Sequence, residues 1–228
     1  MPLTEEGREA FVEAVESGNI KDQLIGKGLL YTGLRIGTLA HMQKGWIERD
    51  NGRIYIRIPG RKIKCTLSPG HRGRAYDRDS PCNRCREFRD GYFYLKNPLP
   101  RRVPVPEDDV GDLFEHYFDV HNIVGTAGQI QHKLTEIGEW AGFDFRLTAT
   151  NLRMTYGQIL AKKGFEGPVI RQVMGHPDTV TGRALTQRYF ALSDAHGLPP
   201  YECNAETEYT DGMCSQQVFF PEQTCYHH

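Results

Sequence analysis

The sequence lacks any apolar run approaching the roughly 20 residues that a membrane-spanning helix requires. A helical integral membrane protein is thereby excluded. It also lacks a leader-like start: "MPLTEEGREAF" is polar and acidic, where a secretory signal is basic and then apolar. Without such a leader, its six cysteines do not suggest a disulfide framework. Net charge is nearly absent, at -1, and there is no internal repeat. Lysine and arginine are missing altogether from residues 193–228, where six acids stand. What remains is a chain of 228 residues, 39% hydrophobic and 25% charged, the balance of a soluble globular protein with one large domain or two small ones. Cytoplasm is the expected compartment, that of the host if the gene is viral.

The small net charge hides an asymmetry. Residues 53–102 carry 14 Lys and Arg against 4 Asp and Glu. Residues 1–52 carry 6 against 8, and residues 103–228 carry 8 against 17. A block this basic favours a polyanionic partner. Three cysteines, Cys65, Cys82 and Cys85, lie inside it, and the other three lie in the acidic tail.

Periodicity organises the rest. Thr4 is placed to cap a helix over residues 5–16, followed by a buried helix in "DQLIGKGLLYTGL" and a short one in "RIGTLAHMQ". "GWIERDNGRIYIRIP" then alternates, and Asp50-Asn51-Gly52 supplies the tight turn of a β-hairpin. Residues 60–91, rich in Gly, Arg and Cys, read as an insertion loop. "YFYLKNPLPRRVPVP" resumes strand character across a proline turn, and Pro104 and Pro106 confine its end to a sheet edge. From Glu107 onward the spacing is helical, through "TNLRMTYGQILAKKG", "GPVIRQVMGH" and "TGRALTQRYFAL". The layout is α+β, mostly helical with a small antiparallel sheet.

Several polar residues sit oddly in this pattern. Arg35 falls at the junction of two apolar helices. Arg153 lies in "LTATNLRMTYGQ", where nothing nearby in sequence pairs with it, so a partner outside the protein is expected. His176 follows Gly175 at a helix end, and Tyr189 lies in "TQRYF". Singly, each has an ordinary explanation as a surface charge, a cap or a core ring. In order, "TGLRIGTLAHM", "LRMTYGQILAKKG", "VIRQVMGHP" and "TQRYF" resemble the boxes of the tyrosine recombinase (phage integrase) catalytic domain. The likeness runs from residue 1 to about 192, and the Cys-rich insertion is similar to that of some archaeal integrases.

The resemblance implies a DNA breaking and rejoining enzyme. Tyr189 is then the nucleophile, Arg35 and Arg153 clamp the non-bridging phosphate oxygens, and His176 assists the phenol. Lys96, before a stretch like the family's strand, is the preferred proton donor to the 5′-oxygen, with Lys62 and Lys64 as rivals. Thr150 replaces the His or Lys usual three residues before the second arginine, and Met154 replaces a frequent His. No cofactor is expected for the chemistry, because the phosphotyrosine link conserves the bond energy. Topoisomerase-like nicking and closing, or a non-catalytic zinc-containing DNA-binding module, are the alternatives.

The insertion offers Cys65, His71, Cys82 and Cys85 to a structural zinc, with water or a tail cysteine as rivals to His71 for the fourth place. Arg61, Lys62, Lys64, Arg72, Arg74, Arg84, Arg86, Arg101 and Arg102 are the expected contacts to double-stranded DNA, of the kind that position without specifying sequence. Members of this family usually carry a helical domain ahead of the catalytic one. The likeness starts at residue 1, so a homo-oligomer on DNA or an accessory DNA-binding subunit is expected. The acidic tail, 193–228, is expected to cover the basic face when DNA is absent.

Overall fold

A computed structural model describes residues 1–65, 67, 81–97, 99–191, 201–202 and 217–218. His71, Arg72 and Arg74, and all of the acidic tail apart from one short pairing, lie outside the described residues. The chain divides into two compact units, Met1–Thr155 and Tyr156–His228. The sequence reading took 1–192 as one domain.

The first unit is built around a buried helix. Helix α1 (Glu5–Glu16) begins where the Thr4 side chain accepts from Gly7 N, as expected. Helix α2 (Ile20–Thr32) starts two residues earlier than the apolar pattern predicts, because Asn19 accepts from the amides of Lys21 and Asp22. Glycines let neighbours press against α2. A Cβ on Gly26 would lie 2.4 Å from the Val15 side chain, and one on Gly28 would lie 3.0 Å from the Phe114 ring. The buried Lys27 ammonium is matched by Asp109 and Glu16, each at 2.8 Å.

Helix α3 (Ile36–Ala40) and a single 3-10 turn (Lys44–Trp46) lead into the hairpin of β1 (Ile47–Asp50) and β2 (Arg53–Ile58). Its turn has positive φ at Asn51 (49°) and Gly52 (78°), the geometry that matches strand twist in a two-residue hairpin. Strand β3 (Lys62–Lys64), helix α4 (Asn83–Phe88), and strands β4 (Tyr92–Tyr94) and β5 (Arg101–Pro104) follow. The segment read as one interrupted strand belongs to two sheets. β4 pairs with β3, whereas β5 pairs with β2 and forms the edge of β1-β2-β5, with Pro104 opposite Tyr55. So the expected insertion, 60–91, contains strand β3, whose partner β4 lies just beyond it, and a short helix.

Helices α5 (Asp108–Val120) and α6 (Ala127–Trp140) complete this core, with Thr126 and Gln129 forming a reciprocal cap at the start of α6. Helix α7 (Ala149–Lys162) runs through the division. Its start is fixed by another reciprocal pair. Thr148 N donates to Asn151 Oδ1 at 2.8 Å, and Asn151 N donates to Thr148 Oγ1 at 3.3 Å.

The second unit contains the rest of α7, then α8 (Gly167–Met174) and α9 (Val180–Ala191), which pack together. Pro168 stands in the first turn of α8, as predicted. Strands β6 (Tyr201–Glu202) and β7 (Gln217–Val218) pair antiparallel. Among the described residues no helix is long and apolar enough to cross a membrane.

Candidate functional site

In the first unit, the chain around Arg35 is set by Gly33. This glycine ends α2 in the left-handed region (φ 57°) and donates to Leu29 O at 3.1 Å. Two residues on, Arg35 caps α3 with extended backbone (φ -71°, ψ 142°), and its carbonyl accepts from the amides of Thr38 and Leu39. Its side chain is half-buried.

Arg153 is buried, with 7% exposure, and one guanidinium nitrogen donates to the Gly33 carbonyl. The expectation that its partner lies outside the protein is therefore corrected in part. A guanidinium has five donors, and one of them fastens the turn that presents Arg35. Thr150, in the first turn of α7, is exposed.

Arg101, anticipated as a phosphate contact, stands on β5 opposite Ile58. Burial, together with the positive charge of Arg35, lowers its guanidinium to about 10. A half-buried pair of interacting guanidiniums costs free energy that an anion relieves.

The other anticipated DNA contacts differ among themselves. Arg61, Lys62, Lys64, Arg84, Arg86 and Lys96 are exposed. Lys62 lies over the Tyr92 ring, 4.4 Å from its centroid. Arg102 is engaged within the protein, with Glu48 at 3.3 Å, Asp50 at 3.1 Å and the Tyr55 ring centroid at 4.0 Å.

In the second unit, His176 and Tyr189 meet. α8 ends at Gly175 (φ 63°), and the His176 amide turns back to Arg171 O at 2.9 Å. Both His176 (8% exposed) and Tyr189 (4%) are buried, and their Nε2 and hydroxyl oxygen lie 3.0 Å apart. The phenol therefore has a titratable partner in a site shielded from water. The Tyr189 ring lies on α7 at Gly157. A Cβ there would come within 2.7–2.8 Å of three ring atoms, so only glycine leaves room for the ring. Gly157 was missed by the sequence reading, although a glycine in the middle of an apolar helix is a recognisable sign of close approach.

The cysteines also come together, in the first unit. Cys65, Cys82 and Cys85 are buried free thiols, and His41 joins them, with all four ligand atoms within 4.8 Å of one another. His41 Nε2 is 3.5 Å from Cys85 Sγ and 3.9 Å from Cys82 Sγ. Burial pushes the Cys65 and Cys85 thiols up. A metal cation reverses that preference by binding thiolates. His71, the expected fourth ligand, lies outside the described residues; His41 was not anticipated.

No family model matches the chain, and no curated protein matches it in sequence. Solved structures do match in fold. XerA recombinase is similar at a TM-score of 0.58 with 19% identity, covering 85% of this chain and 61% of that one. XerH site-specific recombinase bound to a palindromic difH substrate gives 0.57 and 14%, covering 83% and 50%. The Tn1549 transposon integrase in complex with transposon right end DNA gives 0.56 and 17%, covering 85% and 62%. The chain thus spans about half to three-fifths of the length of these proteins. Across the share that matches, mostly helical with a small antiparallel sheet, this chain has the fold of the tyrosine recombinase catalytic domain.

Proposed function

We propose that the protein is a site-specific DNA recombinase or integrase that cuts and rejoins double-stranded DNA through a 3′-phosphotyrosine link on Tyr189. The observation that carries this reading is the 3.0 Å pairing of the Tyr189 hydroxyl with His176 Nε2, in a chain with the fold of such enzymes. A phenol titrates near 10 in water, so at neutral pH it needs a base as it attacks. Unprotonated Nε2 accepts that proton while the phenolic oxygen bonds to phosphorus. The bond from phosphorus to the 5′-oxygen breaks, and a lysine, Lys96 before Lys62 or Lys64, protonates the departing oxygen. Religation reverses the sequence, so neither ATP nor a catalytic metal is consumed.

Arg35 and Arg153 act on the non-bridging oxygens, where charge builds during attack. Loss of one preorganised donor of this kind costs about 3–4 kcal/mol of barrier. Arg101 joins them as a third cation, supported by its electrostatic coupling to Arg35. Thr150 contributes a hydrogen bond in place of a charge. The exposed Arg61, Lys62, Lys64, Arg84 and Arg86 hold the DNA backbone, with a second copy or an accessory subunit completing the grip. A structural zinc on Cys65, Cys82 and Cys85 belongs to the same reading, since the buried thiols form a donor set suited to it.

The test is trapping on nicked suicide substrates drawn from a library of candidate sites. Wild-type protein is expected to form a covalent adduct that the Tyr189→Phe variant does not. DNA binding without an adduct on any site refutes catalysis, and adducts without joint products between duplexes point instead to nicking and closing.

A further inference from the structure

Among the clusters of ligating side chains, one reaches beyond the insertion. His41 stands immediately after α3, and Arg35 immediately before it, so the six-residue step from one to the other spans about 9 Å at helical rise. We propose that His41 is the fourth ligand of a Cys3His metal site with Cys65, Cys82 and Cys85, and that the bound metal holds α3 so that Arg35 is fixed for its phosphate. The second half rests on the reading of Arg35 as a phosphate clamp; the first does not.

The geometry fits the donors. In a tetrahedral zinc site with bonds of about 2.0 Å to nitrogen and 2.3 Å to sulfur, neighbouring ligand atoms lie roughly 3.5–3.8 Å apart. His41 Nε2 lies at 3.5 and 3.9 Å from two of the sulfurs. The ring is already oriented. Its Nδ1 is 2.8 Å from the Gly37 carbonyl, an acceptor that keeps the proton on Nδ1 and leaves the Nε2 lone pair for a metal. Its face stacks on Phe93 of β4, with centroids 3.9 Å apart and planes inclined by 7°.

The cysteines are equally fixed. Cys82 N points at Cys65 Sγ at 3.3 Å, Cys65 N donates to Gly91 O at 2.9 Å, and Gly91 N donates to Cys85 O at 2.9 Å. The exposed, arginine-bearing α4 buries little besides these thiols, so coordination is the main tie available to it. α3 has only five residues, too short to hold its own geometry. A metal bond at one end supplies what the helix lacks and transmits it to Arg35 at the other.

The experiment uses the full chain loaded with an NMR-active cadmium isotope, which reports its ligands by scalar coupling. Coupling to the His41 ring is expected; coupling to His71, or to four sulfurs, overturns the assignment. His41→Ala is expected to weaken zinc binding by at least about 10–100-fold, whereas His71→Ala leaves it unchanged. The reverse pattern refutes the proposal, and a wild-type chain that binds no zinc refutes the zinc reading with it.

Amide exchange of residues 36–41 reads the clamp. Zinc is expected to slow exchange there in the wild type but not in His41→Ala. Equal exchange with and without metal overturns the positioning role. On a suicide substrate, zinc removal is expected to cut the adduct-forming rate by about 10²-fold with little change in the KM for DNA. An unchanged rate also overturns it. If no adduct forms at all, the recombinase reading fails, while the cadmium and exchange measurements still decide the metal assignment.

Discussion

Gly157→Ala adds one carbon at the place where α7 meets Tyr189, the proposed nucleophile. That carbon would lie 2.7 Å from Tyr189 Cε1 and 2.8 Å from Cδ1 and Cδ2. Carbon contacts settle at about 3.5–4.0 Å, so the ring must retreat by roughly 0.7–1.3 Å. A displacement of that size is enough to break the 3.0 Å bond between its hydroxyl and His176. Overpacking of this kind costs about 1–3 kcal/mol, and alanine regains about 1 kcal/mol of helix propensity, leaving a net loss of about 0–2 kcal/mol. The decisive comparison is with Tyr189→Ala. Once the ring is gone only the propensity gain remains, so in that background Gly157→Ala is expected to stabilise by about 1 kcal/mol. Thermal denaturation of the four proteins reads the change of sign; each kcal/mol moves the midpoint by about 2–4 °C at this chain length. In the wild-type background the adduct-forming rate falls by about 10²-fold, since 1 Å of misplacement suffices for that. A shift of the same sign and size with and without Tyr189 refutes the contact, and an unchanged rate refutes its link to chemistry.

Arg101→Met is expected to raise the thermal midpoint of the free protein at neutral pH and to weaken DNA binding. Burial and Arg35 disfavour the charged form in the fold at every pH below about 10, and the penalty fades above that pH as the folded protein releases its proton before the unfolded chain does. The stability gap between wild type and variant should therefore narrow above that pH, and a variant no more stable at neutral pH refutes the argument. Arg84→Gln and Arg86→Gln are each expected to reduce the slope of log affinity against log salt by about 1, as fits a lost phosphate contact. Arg102→Gln is expected to leave that slope nearly unchanged because Glu48 and Asp50 already hold its charge; equal slopes for all three variants contradict this. Thr148→Ala removes the side-chain half of the reciprocal cap of α7 and is expected to cost about 1 kcal/mol, measured by denaturant titration.

The sequence was legible where local chemistry decides conformation. Thr4, the Asn51-Gly52 turn and the Pro168 helix start each act over a few residues, and each stands as expected. Edge placement of β5 followed from Pro104, which cannot donate to a second neighbour. Strand partners were less legible. Residues 92–106 read as strand character broken by a proline turn, yet the two halves serve different sheets, a choice made by long-range pairing. The Cys3His cluster divides the same way. Cys82 and Cys85 announce themselves by spacing, but His41 lies 24 residues before Cys65 and reaches it only through the fold. His71, named for the fourth place with water or a tail cysteine as rivals, lies outside the described residues. His41 did leave one trace: a half-buried polar ring in the apolar stretch "TLAHM" needs a partner.

Arg153 changes meaning when its hydrogen bond is set beside the cluster. As a phosphate clamp it uses the planar fork of its guanidinium. Its N–H to the Gly33 carbonyl adds a task that depends on the planar fork, because the guanidinium can fasten a backbone turn with one donor and present others elsewhere. Gly33 precedes Arg35 by two residues and His41 follows it by six. One arginine thus secures the entry to α3, while the Cys3His cluster is built to secure its exit. With the proposed metal bound, a five-residue helix tied at both ends keeps its guanidinium where the tether puts it, and the free energy of holding it there is spent in folding, before the proposed DNA substrate arrives. That arrangement accounts for a histidine and three cysteines converging at the end of the short helix that Arg35 begins.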